Sequence, residues 1–206
     1  MSTPLSWFFY SRFDAIPARH LFEILRLRQQ VFIIEQDCIY EDIDSLDPLS
    51  EHLLITQKGD QMTALTEGQL GSKKQNRVKR QIQSKVHSQR SAPSQTHTSE
   101  KALATLRIVP AGAKFEEVSI GRIVVRDDAR NLGLGETMVR NTLARLQTRG
   151  EKTVKIEAQH HLANWYGTMG FETCGSVFDL DGIPHVQMIC SLKSVQPMIE
   201  EPNGKD

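Results

Sequence analysis

The sequence predicts an α/β protein, a mixed twisted sheet with helices on both faces. Three observations carry this. Strand-like and helix-like stretches follow one another in the order β-α-ββ-β-α-β-α-β-β. A β-branched run, Val118 to Arg126, passes through a glycine-bearing loop straight into a helical pattern. No apolar run approaches the ~20 residues of a membrane span, and Cys38, Cys174 and Cys190 have neither metal-like spacing nor the makings of a disulfide framework.

Leu5 to Tyr10 reads as the first strand. Asp14 and Pro17 then open one long early helix for the apolar stripe Leu21, Leu25, Leu27, Val31 and Phe32. Asp42 to Pro48, with three Asp and a Pro, is a loop; His52 to Gln57 and Ala102 to Ile108 are strands that pair as a hairpin once the segment between them is set aside. After the glycine loop, Leu134, Met138, Leu143 and Leu146 mark a helix. There follow a strand at Val154 to Ala158, a helix at Leu162 to Met169, and strands at Glu172 to Val177 and Val186 to Leu192, joined through Asp179-Leu180-Asp181-Gly182.

The net charge of zero conceals a division. Between Gly68 and Ser99 lie seven basic residues, Lys73, Lys74, Arg77, Lys79, Arg80, Lys85 and Arg90, with no acidic or aromatic residue among them. The rest of the chain carries 18 basic against 25 acidic residues. A segment so polar cannot bury enough apolar surface to offset its ordering entropy. We therefore expect one domain over 1–193, interrupted by a basic, mostly disordered insertion at 68–99 and followed by a flexible tail at 194–206. Val78, Ile82 and Val86 would allow a short amphipathic helix on nucleic acid or an acidic partner, and such a partner is expected only through this insertion. Lys73 to Arg80 superficially resembles a nuclear-import cluster. Trp7-Phe8-Phe9-Tyr10 is too short, and lacks the basic flank, to be a signal sequence, so a soluble cytoplasmic protein without a membrane partner is expected.

A strand entering a helix through Arg130-x-x-Gly133-x-Gly135 aims the free N–H groups of the first helical turn, and the positive end of the helix dipole, at one spot. Phosphate suits such a place. Glycine admits a bulky diphosphate to the backbone, and Arg130 can fork onto its oxygens. A dinucleotide fingerprint would need glycine where Met138 stands. A Walker loop would need Gly-Lys-Ser/Thr, whereas Gly135 precedes Glu136-Thr137.

At these residues the chain resembles a family. Val125-Arg126-Asp127-Asp128-Ala129-Arg130-Asn131-Leu132-Gly133-Leu134-Gly135 looks like the acetyl-CoA loop of GNAT N-acetyltransferases, and Tyr166-Gly167-Thr168-Met169-Gly170-Phe171 looks like their Y-x-x-x-G-F element. Leu27 to Tyr40, Ala158-Gln159-His160-His161-Leu162 and Asp181-Gly182-Ile183-Pro184-His185 resemble the ElaA-type branch, which lacks the basic insertion.

The resemblance implies the GNAT fold and acetyl transfer from acetyl-CoA, as co-substrate, to a primary amine by direct attack in a ternary complex. It assigns the diphosphate to the backbone of Arg130, Asn131, Leu132, Gly133, Leu134 and Gly135, and the pantetheine arm to Ile123, Val124 and Val125, paired like an extra strand. Gln159 matches a polar cofactor contact, and Tyr166 the donor to the leaving sulfur. For the base, Glu35 and Glu157 are both nominated, and a water with a poised histidine is equally open. His161 and His185 match the branch pattern as substrate-binding or proton-relaying groups. No metal is expected, because adjacent histidines on an extended strand end point opposite ways. The loop acids Asp42, Asp44 and Asp47 could attract a cationic amine, although loop Asp usually turns or caps the backbone. The alternative is a non-catalytic acyl-CoA-binding sensor, recruited to a polyanionic or acidic partner by the insertion.

Overall fold

The computed structural model describes residues 4–58 and 100–194. The insertion expected at 68–99 and the tail from 195 onward lie outside the described residues.

The chain opens with strand β1 (Leu5–Tyr10) and helix α1 (Ala18–Arg28), which continues as one π-helical stretch over Gln29–Glu35. Strands β2 (Glu51–Lys58), β3 (Glu100–Val109) and β4 (Val118–Val125) follow. Helix α2 (Leu134–Thr148), strand β5 (Thr153–Gln159), short helix α3 (Ala163–Gly167) and strands β6 (Phe171–Thr173), β7 (Phe178–Leu180) and β8 (Ile183–Ser191) complete it.

These strands form one mixed sheet in the order β1-β2-β3-β4-β5-β8-β6, with β7 paired to β8. The hairpin expected on either side of the insertion is present: β2 and β3 are antiparallel, with Lys58 opposite Glu100. Two apolar clusters cover the two faces. Helix α2 places Met138, Val139, Leu143 and Leu146 on the face that carries Leu53, Leu106, Ile120 and Ile156. On the other face Ile24, Leu27 and Val31 pack on Leu54, Ala102 and Val124. Burial of such side chains contributes roughly 1.5–3 kcal/mol each, so both helices are held by their apolar stripes rather than by their caps.

Two expectations need correction. The early helix is not uniform, because from Gln29 the backbone widens into π geometry, and its buried stripe is Ile24–Leu27–Val31 with Leu25 on the flank. The strand expected at Glu172 to Val177 is two short strands. Gly175, at φ 116°, breaks the run, and the chain re-enters as β7, which makes a tight hairpin with β8 around Asp181 (φ 54°) and Gly182 (φ 82°). Positive φ at both central residues is the type I′ geometry that suits strand twist, so Asp179 and Leu180 belong to the strand and not to the link.

Candidate active site

Strands β4 and β5 run parallel but pair only at Val118–Val154 and Ser119–Lys155. Beyond that point they separate, and β5 turns its other edge to β8 as far as Gln159–His185. Among the described residues, the edge of β4 from Ile120 onward is left without a partner strand. On its β3 side the register slips, since Thr105 opposes Val124 while Arg107 opposes Gly121, which leaves Arg122 and Ile123 as a bulge with Arg122 at φ 52°. Such a bulge re-aims the backbone and withdraws it from the ladder. Arg122 is a long, non-glycine residue held in the left-handed region, a conformation that persists only where its surroundings hold it.

Those surroundings are five charged side chains, which with Arg122 make six. Arg28 pairs with Asp42 (3.1 Å) and Asp47 (2.7 Å), Arg107 with Asp44 (2.6 Å) and Asp47 (2.9 Å), and Arg122 with Asp42 (2.8 Å) and Asp44 (3.2 Å). Each aspartate holds two arginines and each arginine two aspartates, which closes a ring. The Arg28, Arg107 and Asp47 side chains are 1%, 4% and 2% exposed, so this is an internal network. Burial would raise the Asp47 carboxyl, but hydrogen bonds and charge from Arg28 and Arg107 hold it down at about 2. These acids, which by sequence could attract a cationic amine, each pair with two arginines, and the Asp44 side chain stays 24% exposed. The ring ties the 42–47 loop to β3 and to the β4 bulge, and the Arg122 guanidinium lies 5.2 Å from the centre of the Tyr40 ring.

Where β4 and β5 part, a cavity of about 610 Å³ opens. Its walls include Ile120 to Ile123 on β4, Ile156, Glu157 and Gln159 on β5, Tyr166 on α3, Phe32 and Gln36 from the π stretch, and Asp181 and His185 around the β7–β8 hairpin. Gln159 donates its amide to Gln36 (3.1 Å), and the Cys38 thiol to the Asp181 carbonyl (3.2 Å), so the early segment and the hairpin meet at the mouth.

Tyr166 is buried, with its ring edge-on to Trp165 and Phe171. Burial pushes its phenol well above the ordinary range, so it holds its proton. None of the described residues hydrogen-bonds its hydroxyl.

The glycine loop leaves the free end of β4. Asn131 (φ 64°) and Gly133 (φ 72°) turn the backbone, and α2 begins at Leu134 with none of the described side chains capping its N-terminus. The first intrahelical bond is Thr137 N–H to the Gly133 carbonyl (3.0 Å), so the amides of Leu134, Gly135 and Glu136 point outward at the positive end of a 15-residue helix. Gly133 is required by its conformation. A Cβ on Gly135 would only touch Val125 and Trp165 at ordinary distances of 3.5–3.7 Å. A helix start that no described side chain caps, a strand edge that no described strand pairs and the Tyr166 hydroxyl beyond fit a ligand with an anionic head and an extended arm.

Of the residues predicted from sequence, Ile123, Gln159, Tyr166 and His185 line the cavity, and Arg130 to Gly135 form the loop beside it. Val124 turns its side chain into the α1 cluster and Val125 packs on the main core, so only their backbone faces a ligand. Glu35 and His161 are not brought to the cavity. Glu35 is exposed at the end of the π stretch and pairs with Arg130 (2.6 Å), which holds its carboxyl below the usual range; His161 is exposed in the turn His160–Leu162. Glu157 does line it, paired with Lys114. Sequence reasoning missed Arg28, Arg107 and Lys114. Arginines inside otherwise apolar stretches, facing a loop with three Asp, were the available signal for the first two.

A family model described as an acetyltransferase (GNAT) domain matches residues 51–192. The Escherichia coli protein ElaA is 29% identical over 169 residues, covering 82% of this chain and 85% of its own. A UPF0039 protein of Schizosaccharomyces pombe is 26% identical, covering 88% and 94%. Among solved structures, an acyl-CoA N-acyltransferase from Pseudomonas aeruginosa superimposes with a TM-score of 0.66 at 26% identity, covering 91% of this chain and all of that one. Escherichia coli ElaA gives 0.65 at 24% identity, again covering 91% and 100%. No helix among the described residues is long and apolar enough to cross a membrane.

Proposed function

The chain belongs to the GNAT acetyltransferase family, whose members use acyl-CoA as co-substrate, and on that premise we propose that it moves an acetyl group from acetyl-CoA to a primary amine by direct attack in a ternary complex. The parting of β4 from β5 beside an uncapped helix N-terminus carries this reading. Acetyl-CoA would supply an activated acyl group on a sulfur leaving group.

Amides at the start of α2, with Arg130, hold the diphosphate by charge-assisted hydrogen bonds. The free edge of β4 at Ile123, Val124 and Val125 pairs with the amide-bearing arm as a neighbouring strand would, and Gln159 closes the far side. Backbone amides at the Arg122–Ile123 bulge are outside the β3 register and serve the charge that develops on the acyl oxygen. The Tyr166 hydroxyl donates to the departing sulfur; its raised pKa makes it a firm donor that does not ionise on its own. The amine enters between Phe32, Tyr40 and the β7–β8 hairpin. Groups able to accept its proton line the cavity: His185 and the carboxylates Glu41, Asp44, Glu157 and Asp181, of which Glu157 already holds Lys114 and Asp44 holds Arg107 and Arg122.

The alternative of a non-catalytic acyl-CoA sensor leaves the bulge and the Tyr166 hydroxyl without a task. Calorimetry with coenzyme A and thiol release from acetyl-CoA across an amine panel decide between the two. Binding with turnover is expected, and Gly133→Val, which forces a β-branched residue to φ 72°, should abolish binding while costing about 1–3 kcal/mol of stability. Binding that survives Gly133→Val, or no heat with the wild-type chain, would remove the reading.

A further inference from the structure

The proton that an amine must lose before it attacks has a receiver in the geometry of β8. His185 Nδ1 lies 2.8 Å from the carbonyl oxygen of Ile183. A carbonyl can only accept, so Nδ1 carries the ring proton and Nε2 carries the lone pair. None of the described residues hydrogen-bonds Nε2, and the side chain lines the cavity. The backbone of His185 is paired with Gln159 on one side and Phe178 on the other, and the Phe178 ring lies 6.1 Å from the imidazole between centroids, so the residue's position is fixed in the sheet.

We propose that His185 is the general base of this site, taking a proton from the incoming ammonium on Nε2. The inference rests on the acetyl-transfer reading and assigns a step which that reading leaves open. The other charged groups of the cavity support the choice. Lys114 and Glu157 are tied to each other, Arg107 is tied to Asp44 and Asp47, Arg122 is tied to Asp42 and Asp44, and the carboxylates on the same rim, Glu41 and Asp181, are exposed. Tyr166 is still protonated when the ammonium arrives and is not the receiver of that first proton.

The balance is as follows. The ammonium N–H bond breaks, its proton passes to Nε2, and its electron pair remains on nitrogen for attack on the acyl carbon. The imidazolium then releases that proton to water. As the carbon–sulfur bond breaks, Tyr166 gives its hydroxyl proton to sulfur and regains one from the nitrogen of the new amide. One amide, one thiol and one solvent proton result.

His185→Asn separates structure from chemistry, because the asparagine amide still donates to Ile183 but offers no lone pair in place of Nε2. Two acceptor probes with acetyl-CoA test it: propylamine, which arrives protonated at neutral pH, and hydroxylamine, which does not. The variant should bind coenzyme A and melt like the wild type. It should lose roughly 10²-fold or more in kcat/KM with propylamine, recover as pH rises, and retain its rate with hydroxylamine. Equal rates of variant and wild type on propylamine, or equal losses on both acceptors, would overturn the base role and leave the transferase reading standing. If wild-type protein binds coenzyme A yet acetylates neither probe, the transferase reading is what fails. The ring nitrogens, read by ¹⁵N shifts in the intact chain, report independently of turnover: a proton on Nε2 in place of Nδ1 would overturn the assignment.

Discussion

Glu35 and Arg130 are joined by a 2.6 Å ion pair that ties the end of the π-helical stretch to the glycine loop, 95 residues away along the chain. The guanidinium that would fork onto a diphosphate thus already holds a carboxylate. Glu35 is held by Arg130 and does not line the cavity.

Glu35→Gln should therefore tighten coenzyme A binding, since it removes a negative charge from beside the diphosphate site and frees the Arg130 fork. The gain should be largest at low salt and shrink as ionic strength rises, because both side chains are partly exposed. Titration calorimetry at two salt concentrations measures it. Weaker binding in the variant would mean that Glu35 helps to hold Arg130 in place for the ligand. A lost acid limb in the rate profile would restore it as a base.

Asp47→Asn attacks the charge ring at its most buried acid. The change strands part of the charge on Arg28 and Arg107, and breaking a buried pair costs about 3–5 kcal/mol. The pH dependence has a definite sign. The folded-state pKa, about 2, lies below the ordinary 3.8, so the stabilisation is complete above pH 3.8 and is lost as pH falls through 2. Urea midpoints of wild type and variant should converge as the pH is lowered through that window, and a gap that stays constant would dismiss the linkage.

Tyr166→Phe keeps the edge-on ring packing against Trp165 and Phe171 and removes only the hydroxyl. Coenzyme A affinity and melting temperature should stay unchanged while kcat falls by roughly tenfold or more. Undiminished turnover would make Tyr166 a core tyrosine alone.

Much of the architecture was legible because it rests on local rules. The β-branched run before Arg130, the left-handed requirement at Gly133 and the apolar stripe from Leu134 to Leu146 are one strand–loop–helix unit whose parts constrain one another. Less legible were places where distant residues decide the outcome. Gly175 inside a strand-like stretch was the mark of a break, but only pairing with β8 shows that the chain resumes as β7. Asp42, Asp44 and Asp47 read as acids of a loop, because nothing in their own segment shows that Arg28, Arg107 and Arg122 close on them.

The sequence by itself determined the order of elements up to the last helix, the glycine turn and the residue types able to bind phosphate or move a proton, since these follow from side-chain periodicity and backbone sterics within a few residues. Tertiary structure alone decided which candidates act together. Two parallel strands that part after Ser119 open the cavity, a ring of six charges fixes the bulge beside it, and an Ile183 carbonyl sets the tautomer of His185. Those relationships depend on where unconnected segments meet in space, and charge, burial and hydrogen bonding take their values there.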